Sequence, residues 1–471
     1  MRDGTAPPSP ISLPIIAAGL FCLLGSSALL ATPWYPLAIA PVALVFVFFQ
    51  LLRRPAAGLY LIVFLMPFGA YRTLGGPLSF IKVHWVIAAL MLAIVLLELP
   101  LRRGNAARLG FRLWPWLAIF LGVNLLAFYL SPFPATGADT VLRLLLGYLF
   151  IALVLYFLTD AGFRQRLPQV IVLSVGLSAL LALIGFLFKV EFFAADAVEG
   201  DFTRGTGGTT WASSLSQMII FAFPLLLHRL LHPAGPRQRL FQLIGLFVLL
   251  GGMVTTFSRG GAMILTLITL LSLWQYRSRL RARHLGLLLS TAALFVAVLL
   301  ALTPATYWER QRSLASGEDQ SIGRRQSYLR VGLDAFLQQP LIGHGPGAFR
   351  DIYADSAYAR MYQKEDQTLR RFAHNTYLEV LVGSGVSGLA LFLLLLLLAW
   401  RNFQKAKRLF DEAGNRCMAT LAGSYQLSFL SVCLYFFLAS GLDNKYFLLS
   451  LPLSQVALNL ARTEKAGVAP A

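Results

Sequence analysis

The sequence predicts an all-α polytopic membrane protein, and its composition and apolar runs lead to that fold class. Of its 471 residues, 57% are hydrophobic and only 13% are charged. Apolar runs recur along almost the whole chain, and most are long enough for a transmembrane helix, which needs about 20 apolar residues. Uninterrupted runs such as Leu389–Ala399 also exclude transmembrane β-strands, in which apolar and polar residues alternate.

The apolar runs also predict the order of the membrane spans. We expect about fourteen transmembrane helices, or twelve if short segments such as 57–70 and 261–275 do not cross the membrane. The predicted spans are 11–31, 34–52, 57–70, 83–99, 113–130, 140–159, 168–188, 211–228, 240–256, 261–275, 285–303, 376–400, 419–440 and 446–461.

The basic residues predict the orientation of the chain. Its formal net charge is +19, and basic clusters occupy the connections that follow even-numbered spans. These clusters are Arg53/Arg54, Arg102/Arg103/Arg108/Arg112, Arg164/Arg166, Arg229/Arg237/Arg239, Arg277/Arg279/Arg281/Arg283, Arg401/Lys405/Lys407/Arg408 and Arg462/Lys465. Because cytoplasmic loops carry an excess of positive charge, all seven clusters and both termini are expected inside the cell. The positive charge therefore mainly reflects the orientation of the chain in the membrane, and it does not indicate a nucleic-acid partner.

This orientation divides the chain into four segments. Residues 1–303 hold the first eleven spans with short loops, and 374–462 hold the C-terminal spans. Residues 463–471 form a cytoplasmic tail. Between the two sets of spans, residues 304–373 form one large outer loop, whose length is typical of a functional segment.

The large outer loop is expected to fold into a small, partly helical cap. Apolar residues recur at helical spacing over Ser327–Gln338, which predicts an amphipathic helix. Pro340 ends this helix, and Leu341–Phe349 forms a glycine-rich turn.

Three motifs place polar residues on the predicted outer side. His374 and Asn375 lie at the N-terminal end of a predicted apolar helix that contains several glycines. Residues 201–210 place glycines and hydroxyls around Arg204 before the next span, which favours either an anion cradle or a flexible turn. Arg259 lies in a tight turn close to the hydrocarbon, where an arginine either faces a polar cavity or snorkels to the interface.

Other polar groups near the spans carry weaker signals. His344 is the main rival to His374 as a base, but its glycine-rich setting favours a turn. Arg143 is expected to pair with Asp139 or to line a cavity. The turn at Asp443–Lys445 is expected to form a local ion pair.

An imidazole and two arginines on the same face of a membrane suit transfer from a lipid-linked diphosphate. His374 can remove a proton from an acceptor hydroxyl as that oxygen attacks. Arg204 and Arg259 can hold the diphosphate by bidentate hydrogen bonds and stabilise the charge that develops as it leaves. The chain shows no metal-ligand spacing, so neither a metal nor a cofactor is expected.

Three further residues are expected to support this site. Asn375 could orient the imidazole or the acceptor. Gly385 and Gly388 are about one helical turn apart, so they would let another helix or the prenyl chain of a donor pack closely.

These motifs resemble the signature of the O-antigen ligase and polymerase superfamily. The pattern is His374-Asn375, nine residues and then Gly385-Val386-Ser387-Gly388, together with Ser258-Arg259-Gly260 between two spans. Gly343–Phe349 and the large outer loop are also similar to that family. The resemblance runs from about Arg204 to Gly388.

The resemblance implies an enzyme in the inner membrane of bacteria with its active site facing the periplasm. It would transfer a glycan, with inversion, from an undecaprenyl-diphosphate-linked donor to a hydroxyl acceptor. The family roles match His374 as the general base and Arg204 and Arg259 as the diphosphate-binding arginines.

The identity of the acceptor stays open between members of that superfamily. O-antigen ligation to lipid A–core is favoured, and a polymerase that uses another lipid-linked glycan is the alternative. A protein O-oligosaccharyltransferase is a third member of the group. A transporter or flippase for lipid-linked sugar is an alternative from a different class, although the sequence shows no convincing repeat between its halves.

Overall fold

The structure is a computed structural model that describes residues 13–30, 40–69, 83–101, 108–190, 196–198, 202–232, 235–277, 286, 297, 320–361 and 369–467. Most of this part of the chain is helical. Six of its helices are long and apolar enough to cross a membrane. The predicted all-α polytopic membrane fold is therefore confirmed.

In the described part of the chain, ten α-helices with defined bounds, one short π-helix (Gly162–Arg166) and one β-hairpin precede the cap. The helices are α1 (Leu13–Leu30), α2 (Ala40–Arg53), α3 (Ala56–Phe64), α4 (Val83–Leu101), α5 (Trp114–Tyr129), α6 (Pro134–Phe157), α7 (Leu167–Phe188), α8 (Ala212–Leu231), α9 (Pro236–Thr255) and α10 (Arg259–Tyr276). The hairpin lies between α7 and α8, where β1 (Asp196–Val198) pairs antiparallel with β2 (Phe202–Arg204). The cap and three more helices follow.

The last three helices are α14 (Thr376–Glu412), α15 (Arg416–Tyr435) and α16 (Lys445–Lys465). Each predicted span has its helix, except the span at 285–303, which lies almost wholly outside the described residues. At about 1.5 Å per residue, the nine residues of α3 are too short to cross a bilayer of about 30 Å. The number of spans thus stays a prediction.

The central helices of the bundle pack through small and polar residues. Two helices are more buried than the others that could span a membrane. In α8, 78% of the most apolar 18-residue stretch is buried inside the protein, and in α15 the share is 67%, because other helices surround both of them. The hydroxyl of Ser428 in α15 donates to the carbonyl of Phe221 in α8 at 2.7 Å. Such small side chains allow helix backbones to approach closely where no water is present to satisfy polar groups.

The outer loop contains the predicted helical cap. Its helices are α11 (Gln320–Gln338), α12 (Phe349–Asp355) and α13 (Ala357–Met361). The α11 helix begins at Gln320 rather than at Ser327, because a helix can extend past its apolar stripe once a first turn has formed. Tyr328, Val331 and Ala335 face a small core that also contains Phe349, Tyr353, Ala359, Ala373, Leu378 and Val382.

The long helix α14 is kinked near its N-terminal end. It runs for 37 residues, but Ser384 and Gly385 depart from helical geometry, with Gly385 at φ 63° and ψ −164°. That conformation is accessible essentially only to glycine. A kink of this kind breaks the ladder of helical hydrogen bonds and leaves backbone groups that need other partners.

The glycine-rich turn of the cap supplies those partners. The backbone N–H of His344 donates to the carbonyl of Val382 at 2.9 Å, and Gly345 donates to Gly383 at 2.9 Å. In return, the N–H of Val386 donates to the carbonyl of Pro340 at 2.8 Å. The cap is therefore joined to the kinked helix by main-chain hydrogen bonds on both sides of the kink.

Candidate active site

A cavity of about 830 Å³ lies where the cap meets the ends of the helices. The cap, the start of α6, the segment before α8, and the turn between α15 and α16 all contribute to its wall. The arginines that line it are Arg143, Arg204, Arg324, Arg350, Arg370 and Arg371. The acidic residues in the wall are Asp139, Glu379 and Asp443, so positive charge dominates this cavity.

His374 lines the cavity at the start of α14. Its backbone has φ 50°, a left-handed conformation that is uncommon for residues other than glycine. Hydrogen bonds on both sides hold it: Glu379 Oε1 accepts from the N–H of Ala373 at 2.9 Å, and the N–H of Thr376 donates to the carbonyl of Phe436 at 2.8 Å. Backbone strain that neighbouring contacts maintain is common at functional sites.

The surroundings of His374 disfavour a charged imidazole. The side chain keeps an exposed surface in the cavity while protein encloses its other sides. This burial, together with the charges of Arg325, Arg324 and Arg371, lowers the pKa of His374 to about 4. At neutral pH the ring is therefore uncharged and able to accept a proton.

Arg204 is the last residue of β2, and it lines the same cavity as His374. Its Nε donates to the carbonyl of Thr256 at 2.7 Å, and the next N–H, of Gly205, donates to the carbonyl of Thr255 at 2.8 Å. These bonds join the Arg204 segment to the turn that precedes Arg259. The structure thus brings the two predicted arginine loops together.

The segment after Arg204 is packed against neighbouring parts of the protein. Residues 205–209 are buried, and the backbone N–H groups of Gly205, Gly208 and Thr209 have partners within the protein. Gly208 donates to Ser178 Oγ at 3.1 Å, and Thr209 donates to the carbonyl of Thr206 at 2.9 Å. The Gly208 bond packs the turn against α7, and the choice between an anion cradle and a flexible turn stays a prediction.

Arg259 is the first residue of α10, next to the cavity but outside its described lining. Ser258 caps the helix, and its Oγ accepts from the N–H of Gly261 at 3.2 Å. Gly260 lies against Leu438, a residue that does line the cavity. Of the three predicted functional residues, His374 and Arg204 therefore share the cavity, and Arg259 adjoins it.

The three supporting residues have structural contacts that differ from the expected ones. Asn375 is the N-cap of α14, and its Oδ1 accepts from the N–H of Leu378 at 3.2 Å. A methyl group at Gly385 would collide with the backbone of Leu341 in the cap, and one at Gly388 would collide with the side chain of Ser384. These two glycines therefore accommodate the cap and the kink, whereas packing of another helix or a prenyl chain was expected.

His344 has a structural position. It is only 8% exposed, its Nε2 lies 2.8 Å from the carbonyl oxygen of Ala335, and its own carbonyl accepts from Ser131 Oγ at 2.6 Å. It is outside the described lining of the cavity. These contacts agree with its interpretation as part of a turn.

Arg143 and Asp443 form a longer-range contact than the sequence suggested. Arg143 Nε lies 3.0 Å from Asp139, as expected, but its Nη1 also lies 3.1 Å from Asp443 Oδ2. Asp443 therefore pairs with Arg143 in the cavity wall, a contact that the sequence analysis did not predict.

The sequence analysis missed several cavity residues on the cap side. Arg324 and Tyr328 are four residues apart on α11, which places them on one helical face. The rings of Tyr328 and His374 have centroids 6.1 Å apart. The i, i+4 spacing was visible in the sequence, but nothing local showed that this face would lie over His374.

A comparison with protein families identifies one segment of the chain. Residues 244–393, about a third of the sequence, match the O-antigen ligase family model. This segment of the chain is similar to O-antigen ligases. The matched segment includes Arg259, the glycine-rich turn of the cap, His374 and the kink, whereas Arg204 lies before it.

The match confirms the resemblance to the O-antigen ligase and polymerase superfamily. The match supports the interpretation that the protein is a membrane enzyme that transfers glycans and uses lipid-linked glycan substrates. No curated protein gives a significant match to the chain.

Proposed function

We propose that the protein transfers a glycan from an undecaprenyl-diphosphate-linked donor to a hydroxyl acceptor in the cavity beneath the cap. The observation that carries this proposal is that His374 and Arg204, 170 positions apart, line the same cationic cavity. A diphosphate is an anion that such a cavity attracts, and a neutral imidazole beside it can accept the proton of a hydroxyl.

The chemistry needs one base and a stabilised leaving group. The acceptor oxygen attacks the anomeric carbon of the donor, its proton passes to His374, and the bond from that carbon to the diphosphate oxygen breaks. Undecaprenyl diphosphate leaves with the electron pair of that bond. Arg204 holds it from within the cavity and Arg259 from the adjoining turn, because guanidinium groups stabilise developing phosphate charge. In this proposal no metal or cofactor takes part.

The distribution of charge supports a periplasmic site in the inner membrane. The cavity lies where α6, α8, α10 and α14 begin, whereas the basic clusters lie within or after the opposite ends of these helices. Positive residues favour the cytoplasmic side. This arrangement supports the expectation that both termini lie in the cytoplasm and the cap in the periplasm.

Ligation of O-antigen to lipid A–core is the favoured reaction, with polymerisation as the alternative within the superfamily. A transporter fits less well. Discontinuous helices of transporters expose free backbone groups to substrate, whereas the groups freed by the kink of α14 are bonded to the cap.

Replacement of His374 by alanine tests the proposed base. We expect His374→Ala to lower the rate of transfer by about 10²–10⁴-fold, the usual contribution of a general base. In cells, the lipid-linked donor should accumulate while the protein remains in the membrane. Arg360→Ala, on an exposed part of the cap outside the described cavity lining, is the control. Undiminished product from His374→Ala would exclude His374 as the base.

The surface glycan distinguishes the two candidate reactions. After loss of a ligase, gels should show unmodified lipid A–core while full-length polymer persists on its lipid carrier. After loss of a polymerase, lipid A–core should carry single repeat units.

A further inference from the structure

The cap contributes more positive charge to the cavity than one diphosphate requires. Arg324 and Arg371 line the cavity on the side of His374, and Arg204 lines it from the β-hairpin. Arg324 projects from α11, and Arg371 lies in the segment that leads into α14. The two cap arginines are thus carried by elements other than the hairpin and the turn that bear the proposed donor-binding arginines.

An aromatic ring accompanies these cap arginines. Phe372 lines the cavity and is 47% exposed. The guanidinium carbon of Arg350 lies 4.8 Å from the centroid of the ring, a cation–π contact that helps to fix it. The face of an aromatic ring is apolar and carries partial negative charge, so it suits the C–H groups on one face of a sugar.

We propose that Arg324, Arg371 and Phe372 form a subsite for the acceptor, and that this acceptor is a sugar with an anionic substituent. The arginines bind a phosphate or carboxylate group, and the ring packs against the sugar. The inference rests on the proposed transfer reaction, because it assigns the acceptor to the cap side and the donor diphosphate to Arg204 and Arg259.

The positive field around His374 supports this assignment. In the described part of the chain, the charged groups that act on His374 are arginines of the cap and of the segment before α14. An anionic acceptor brings counter-charge to the place where its hydroxyl must lie next to the imidazole. Opposite charges attract, so the arginines favour this position of an anionic acceptor.

Binding titrations with the purified protein test the subsite. The probes are a phosphorylated core oligosaccharide, the same oligosaccharide after phosphatase treatment, and an oligosaccharide with a uronic acid. Wild-type protein should bind both anionic probes about tenfold or more tightly than the neutral one, since each charge-assisted bond contributes at least this factor. Equal affinity for all three probes would overturn the proposal. A preference for only one anionic probe would identify whether phosphate or carboxylate is bound.

Variants separate the contributions of charge and ring. Arg324→Gln and Arg371→Gln should each reduce the preference for anionic over neutral oligosaccharide, whereas Phe372→Ala should weaken binding of both and keep the preference. Arg360→Gln is the matched control, because Arg360 is an exposed cap arginine outside the described cavity lining. If Arg360→Gln reduces the preference equally, the effect is general electrostatics and the subsite is excluded.

A further titration with undecaprenyl diphosphate distinguishes the acceptor side from the donor side. If Arg324→Gln and Arg371→Gln weaken its binding as much as that of the anionic oligosaccharide, these arginines belong to the donor site and the proposal is wrong. The titrations do not depend on turnover. Selective binding without any transfer would contradict the proposed function and leave the subsite intact.

Discussion

At the scale of single residues, the candidate base is held in a strained and positively charged place. His374 has φ 50°, and Glu379 bonds the N–H of the residue before it. Burial and nearby arginines lower its pKa to about 4. An imidazole with so low a pKa is unprotonated at neutral pH and can accept a proton, but it is a weak base. Anionic substrates would strengthen it, since nearby negative charge raises the pKa of a histidine.

The pH dependence of transfer tests this electrostatic environment. The base must be neutral, so kcat/KM should be retained down to about pH 4 and fall as pH decreases through that value. Replacing Arg371 by glutamine removes a positive charge, which raises the pKa of His374 and moves the acid limb to higher pH. Arg360→Gln should leave the limb in place. An acid limb near pH 6.5 in the wild type would contradict the prediction.

At the scale of elements, the kinked helix and the cap turn depend on each other. Gly385 in α14 and Gly343 in the turn both have positive φ, and each lies against the backbone of the other segment. The sequence showed both glycine motifs but not that they pair. Glycine patterns report that a backbone needs an unusual conformation or a close neighbour, and they do not identify that neighbour.

Substitution of Gly385 should loosen the cap. We expect Gly385→Ala to destabilise the protein by at least about 1–3 kcal/mol, because alanine is strained at this φ and ψ and its methyl group meets Leu341. Thermal unfolding in detergent and the rate of protease cleavage in the cap measure the effect. Gly122→Ala, in α5 with no neighbouring atom within 4 Å, is the control. Equal melting temperatures and cleavage rates for the two variants would show that the kink does not need glycine.

At the scale of the whole molecule, the alternation of basic connections predicts the membrane orientation. The cavity and the cap lie at one end of the bundle, and Arg401–Arg408 and the exposed Cys417 lie near the other. Hydropathy and charge along the chain suffice for this prediction because the bilayer acts on each segment separately.

Cysteine labelling in intact cells tests the orientation. In a chain with Cys417 as the only cysteine, a maleimide that cannot cross the inner membrane should label the protein only after permeabilisation. A cysteine introduced at Arg360 in the cap should react in intact cells. Labelling of Cys417 without permeabilisation would reverse the orientation.

The sequence by itself determined the helical membrane fold, the position of the helical cap and the choice of His374, Arg204 and Arg259 as candidates. These properties follow from local signals: apolar length, helical period and short motifs. Only the tertiary structure decided which of them meet. In the tertiary structure, Arg204 lines the same cavity as His374, and Arg259 lies beside that cavity. Asn375 caps α14. The structure also shows that Arg324, Arg371 and Phe372 line the cavity. The physical reason is that contacts between distant segments depend on how the helices pack, and no local pattern records that packing.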